Sequence, residues 1–159
     1  MEVFLAWMES SLLARFVLEN AWVFPALETM HFLGLILLIG SIYVVDLRLL
    51  GFGRTAPLGT VLKLVPVSLV GFAINVTTGT MFLFADPFRY FPNLSFRIKM
   101  LAVLLAGLNA VWFKYAVHAK IDASGAAADS GLTAQTIAVI SLILWTSVVV
   151  LGRMIPYIE

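Results

Sequence analysis

Four stretches of the chain are each long and apolar enough to cross a lipid bilayer, and they leave little sequence for anything else. They run over about 22–45, 61–84, 98–117 and 133–155, where a crossing takes roughly 17–25 residues of helix. Inside hydrocarbon the backbone N–H and C=O groups of a single segment must be satisfied within it, so runs of this length are helices. The chain is 62% hydrophobic and 12% charged, whereas an average soluble domain carries about 25% charged residues. The reading is therefore all-α: an integral membrane four-helix bundle, one domain over residues 1–159.

The connections "GFGRTAPLG", "ADPFRYFPNLS" and "AKIDASGAAADSG" are short and rich in turn formers. Pro66 lies near the start of the second stretch, where it marks a first turn or a kink. Asp122 to Gly131 reads as a solvated loop. Residues 1–20 differ from the rest, because Glu2, Glu9, Arg15 and Glu19 interrupt an apolar pattern. The segment has neither a basic start nor a small-residue cleavage site, so it does not read as a signal peptide. An amphipathic helix lying in the interface is expected, anchored by Trp7 and Phe16, with a short helix packed on the bundle as the alternative.

Four crossings put both termini on one side. That side carries Arg15, Arg89, Arg97, Lys99 and Arg153, and the other carries Arg48, Arg54, Lys63, Lys114 and Lys120. Lysine and arginine thus divide evenly and the positive-inside rule gives no direction; the termini are taken as periplasmic. A net charge of +1 gives no broad field that would attract nucleic acid. The absence of cysteine excludes disulfides, thiolate metal sites and a thiol nucleophile. No Ser/His/Asp set, phosphate loop or pair of acids suited to hydrolysis is present, so no motif supports enzymatic turnover.

Ionisable groups inside a membrane suggest function by default. If Pro25 occupies the first turn of the first span, His31 lies roughly 9 Å below the terminal side, with Glu28 one turn shallower on the same face. Glu28 is explained by the helix dipole alone. His31 needs a partner: a neighbouring helix, a haem or a metal. For haem b, His31 is an axial ligand, Gly34 one turn on leaves room for the macrocycle, and Arg97, Lys99 and Arg153 face the propionates. Met100, or a histidine from a second copy, is the sixth ligand. For copper, His31 and Glu28 are joined by the thioethers of Met30, Met81, Met100 and Met154. A di-iron site would need carboxylates the chain lacks. His118 ends the third span on the opposite side, so it cannot share a site with His31.

Three other groups have plain readings. Asp46, Lys63 and Lys114 lie at comparable depth and read as an ion-pair cluster with snorkelling lysines. Gly71, Asn75, Thr77, Thr78 and Gly79 read as helix-packing residues or as a wall around a cofactor, as do Gly107 and Asn109. The aromatic loop from Phe82 to Phe96 reads as a belt, a contact surface or a lid.

The string "WVFPALETMHFLGLILLIGSIYVVDLRLLG" resembles the opening of a family of small bacterial four-helix membrane proteins with no assigned activity. The resemblance is carried by Trp22, Pro25, Glu28, His31, Gly34, Gly40, Asp46, Leu47, Arg48, Leu50 and Gly51, and by Lys99 to Phe113 in the third span. It implies a multi-pass protein of the bacterial inner membrane. A looser similarity, in His-x-x-Gly and helix number, runs to membrane b-type cytochromes and copper-resistance membrane proteins. The expected function is a small membrane protein that binds haem b or moves electrons through His31. Copper handling and a cofactor-free structural subunit are the alternatives. Expected partners are lipid, further copies of the chain, and a quinone or other redox partner.

Overall fold

The computed structural model describes residues 1–118 and 131–158. Two short helices, α1 (Glu2–Glu9) and α2 (Leu12–Glu19), precede α3 (Val23–Leu49), α4 (Leu58–Leu62), α5 (Val65–Ala85), α6 (Pro87–Tyr90) and α7 (Leu94–Phe113). A π-helical turn, Lys114–His118, extends α7, and α8 spans Leu132–Met154. Four of these segments are long and apolar enough to cross a membrane: α3, α4 with α5, α7 with its extension to Ala116, and α8. The loop read at Asp122 to Ser130, with Lys120, lies outside the described residues.

The N-terminal segment is two helices, not one. Ser11 breaks it, with extended backbone and a side-chain oxygen that accepts from Ala14 N–H at 3.2 Å. Leu5, Met8, Ala14 and Val17 are buried, so the pair packs on the bundle through one face, while Trp7 and Phe16 stay exposed. Pro66 sits in the first turn of α5, where its missing N–H removes no helical bond.

Helix α3 runs along α5, α7 runs along α8, and α3 meets α8. The core is layered down the bundle. Val17, Val23, Leu27 and Ala85 form one end. Leu38, Ala102, Ala106, Trp145 and Val148 form the middle, and Val45, Leu49, Val61, Ile137 and Ala138 the far end.

The closest seam is between α3 and α5. A Cβ built on Gly71 would fall 2.5 Å from Leu38 N and 2.7 Å from the Gly34 carbonyl oxygen. A Cβ on Gly34 would fall 2.5 Å from Asn75 Nδ2 and 2.9 Å from Ile74 Cγ2. Each helix contributes one glycine, and the backbones touch where side chains would otherwise hold them apart.

Two local devices fix the ends. After α3, Gly51 and Gly53 take positive φ of 99° and 61°, and Arg48 Nε donates to the Ala56 carbonyl at 2.9 Å. The Asp-Leu-Arg…Gly string thus closes a loop. At the other side of the bundle, Asn93 caps α7 by accepting from Phe96 N–H at 3.0 Å. The same side chain donates to the carbonyls of Ile155, at 3.0 Å, and Ile158.

Gly71→Ala is expected to lower stability by about 1–3 kcal/mol, because the clash is with backbone that cannot move alone. Gly40→Ala, where a Cβ meets nothing within 4 Å, is expected to be neutral or slightly stabilising. Unfolding in detergent, compared for the two variants, checks this. Equal effects would refute the close seam.

Candidate functional site

His31 is seated by one turn of α5. Thr78 Oγ1 donates to the Ile74 carbonyl at 2.8 Å, which commits its only hydrogen. It lies 2.7 Å from His31 Nδ1, so there it accepts and Nδ1 carries the proton. The imidazole stands edge-on to Phe82, with ring centroids 5.7 Å apart. Its Cε1 lies 3.9 Å from where a Cβ on Gly79 would be. Thr78, Gly79 and Phe82 thus form the seat. Nε2 takes no partner among the described residues and is not among the polar atoms buried without one, so it keeps accessible surface.

Lys99 of α7 acts electrostatically on His31. Its Nζ lies 3.0 Å from where a Cβ on Gly152 of α8 would sit, so that glycine makes room for the ammonium. The His31 region therefore draws on all four long helices. In the sequence Lys99 is one of three basic residues suited to propionates; its electrostatic effect on the histidine comes from the packing.

The remaining expected ligands do not gather around His31. The space beside Gly34 is filled by Asn75, Ile74 and the Gly71 carbonyl, so Gly34 serves the helix seam and opens no slot for a macrocycle. Arg97 and Met100 are exposed, and Arg153 lies over the Tyr157 ring, 5.5 Å from its centroid. Glu28 is exposed and acts on Tyr90 of α6. Burial pushes the Tyr90 phenol above its ordinary range, Arg89 opposes this, and Asp86 and Glu28 add to it. Met81 packs against the end layer of the core, while Met30 and Met154 are exposed. Among the described residues no three His, Asp or Glu side chains come together to hold a metal.

A second polar region lies towards the other end of the bundle. Asp46 is only 5% exposed, yet among the described residues it makes no ion pair, and its Oδ2 has no hydrogen-bond partner. The expected cluster with Lys63 and Lys114 is corrected accordingly: both lysines are exposed and neither pairs with Asp46, although Lys114 lines the same cleft, and Asp46 turns into the bundle beside the Ser141 hydroxyl. Asp46, Asn109, Ser68 and Ser141 line a cleft of about 570 Å³ bounded by α3, α5, α7 and α8. Neither His31 nor Met100 lines it. Small polar residues on separate apolar helices gave no sign that they would share a cavity. His118 ends the π-helical turn at this end of the bundle, and its side chain lies outside the described residues.

The fold and composition define a four-span, all-α membrane protein. No family model matches the chain, and no curated protein or solved structure matches it either.

Thr78→Val removes the acceptor of a partly buried imidazole N–H and is expected to cost about 1–3 kcal/mol. In a double-mutant cycle with His31→Leu the combined loss should be clearly smaller than the sum of the two. Additive losses would show that the pair does not interact. Nitrogen NMR of the imidazole should report the proton on Nδ1.

Proposed function

We propose that the protein is a small redox protein of the bacterial inner membrane, with termini on the periplasmic side, in which His31 Nε2 is an axial ligand to haem b. One observation carries this reading. Thr78 holds the Nδ1 proton and leaves Nε2 free and accessible, which is how a ligating histidine is oriented and kept in the correct tautomer. Lys99 supports haem over a bare metal ion, since its charge suits an anionic propionate and opposes a second cation nearby.

The closed seam at Gly34 leaves no slot within one copy, so the site proposed lies at the outer face of His31, between two copies of the chain. His31 of a second copy, rather than Met100, would then help to hold the haem. Bound there, haem would supply one-electron chemistry; the chain's part is to orient the imidazole through Thr78 and Phe82 and to place a cation beside it. Copper at His31 is the runner-up. A cofactor-free structural subunit is favoured by a different observation, the apolar groove on the outside of α7 and α8 lined by Ile98, Leu101, Leu105, Ile143 and Val150.

The protein purified from membranes is expected to show a Soret band and to run as a dimer or larger oligomer. His31→Ala should lose the band while remaining folded. Thr78→Val should keep a weaker band, with haem more easily lost. Copper without a Soret band would establish the runner-up, and a stable oligomer with neither cofactor would establish the structural reading.

A further inference from the structure

The cleft around Asp46 has the shape and chemistry of a binding site, and it stands on residues unrelated to His31. Its volume, about 570 Å³, falls within the roughly 300–1,000 Å³ of small-molecule pockets. Its rim includes Leu69 of α5 and Val111 of α7, which are 62% and 52% exposed on the apolar exterior. The cleft therefore opens sideways between α5 and α7, towards the surface a bilayer covers. Its occupant comes from the lipid phase.

The polar atoms in the cleft specify the occupant's head. Asp46 Oδ2 and Asn109 Oδ1 are both buried without a partner, on side chains only 5% and 7% exposed. The Asn109 amide cannot be turned round, because its Nδ2 donates to the Ile137 carbonyl at 3.1 Å. Ser68 Oγ donates to the Val65 carbonyl at 2.7 Å, and the Ser141 hydroxyl bonds Asp46, so the hydrogens of both are committed. A carboxylate and a side-chain carbonyl accept only. The buried polar atoms left without a partner in the cleft are thus both acceptors, while the donors on its lining are the exposed Lys114 and the Trp145 indole. Buried polar atoms left this way are costly, and a ligand that donates to them removes the cost.

Phe72 and Trp145 stand edge to face in the same cleft, their centroids 6.3 Å apart. Such a pair presents an aromatic face to a flat ring. We propose that the cleft binds a membrane-soluble hydroquinone: a ring with two hydroxyls and an apolar tail. One hydroxyl donates to Asp46 Oδ2 and the other to Asn109 Oδ1. The ring lies against Phe72 and Trp145, and the tail leaves between α5 and α7. The oxidised quinone has no hydrogen to donate and leaves Asp46 Oδ2 and Asn109 Oδ1 unmatched, so the site favours the reduced form.

The test uses the full chain in lipid nanodiscs under anaerobic conditions, titrated calorimetrically with decyl-benzohydroquinone and with the matching benzoquinone. The reduced form is expected to bind at least tenfold tighter than the oxidised one, since one unmade buried hydrogen bond has about that weight. Asp46→Asn brings donors into the cleft and should narrow or reverse the preference. Gly107 lines the cleft and a Cβ there meets nothing within 4 Å, so Gly107→Leu should fold normally and weaken both forms about tenfold. Equal affinity for the two forms, or binding unaffected by Gly107→Leu, would overturn the proposal. A stabilisation by sodium ions that Asp46→Asn abolishes, with no hydroquinone binding, would overturn it in favour of a cation site. Haem content plays no part in these readouts, so their failure leaves the His31 reading standing.

Discussion

The backbone contact between Gly34 and Gly71 sets the register of everything on the terminal side of the bundle. With α3 and α5 antiparallel and this close, Gly71 meets Leu38, Asn75 meets Gly34, and Thr78 meets His31, one turn after another. Phe82 then reaches both His31 and Phe24. A wider spacing would carry Thr78 out of hydrogen-bond range and leave the imidazole N–H in an apolar medium. In lipid, where helices gain little from hiding apolar surface, such close van der Waals contact is a main source of association. The histidine's chemistry is therefore tied to two residues that carry no functional group.

The two ends of the bundle treat polarity differently. Around His31, α3 and α5 pack closely, Nδ1 has a partner from the adjacent span and Nε2 stays accessible, while Asn75 Oδ1 at the Gly34 seam is buried without a partner. Around Asp46 the helices part, α5 from α7, and acceptors remain unmatched inside the gap. Along α3 the two ionisable groups lie fifteen residues apart, or roughly 22 Å at helical rise. One helix thus links a tightly packed polar site at one end of the bundle to an open cleft near the other. The helix between them is a continuous stripe of Gly34, Leu38, Ser41 and Val45, all buried.

Much of this architecture is legible in the residues. The four spans follow from length and composition, Pro66 marks the start of α5, and His31 stands out as a group that lipid does not tolerate alone. The facing of each helix is not legible, because the long helices are apolar on all sides and the usual contrast between a wet and a dry face is missing. Gly34 illustrates the result: a glycine one turn from a histidine fits a cofactor slot or a helix seam equally well, and only the partner helix decides. Asp46 is the same problem in charge. Its depth matches that of Lys63 and Lys114, but depth says nothing of azimuth: Asp46 is buried in the bundle, both lysines are exposed, and neither pairs with it. The break at Ser11 had a local signal, a serine three residues before its bonded N–H, that the surrounding hydrophobicity obscured.

Asn93 joins two tasks in one side chain: it starts α7 and grips the carbonyls of Ile155 and Ile158 beyond α8. Those carbonyls follow α8 in the chain and are therefore synthesised after α7. When α7 enters the membrane its cap is half made, and the donor end of Asn93 waits until α8 has inserted and the residues after it have reached the same end of the bundle. Chain closure thus records the order of biogenesis. A copy in which α8 inserts the wrong way round carries an unfilled amide at the head of α7, a local mark by which it differs from a correctly assembled one.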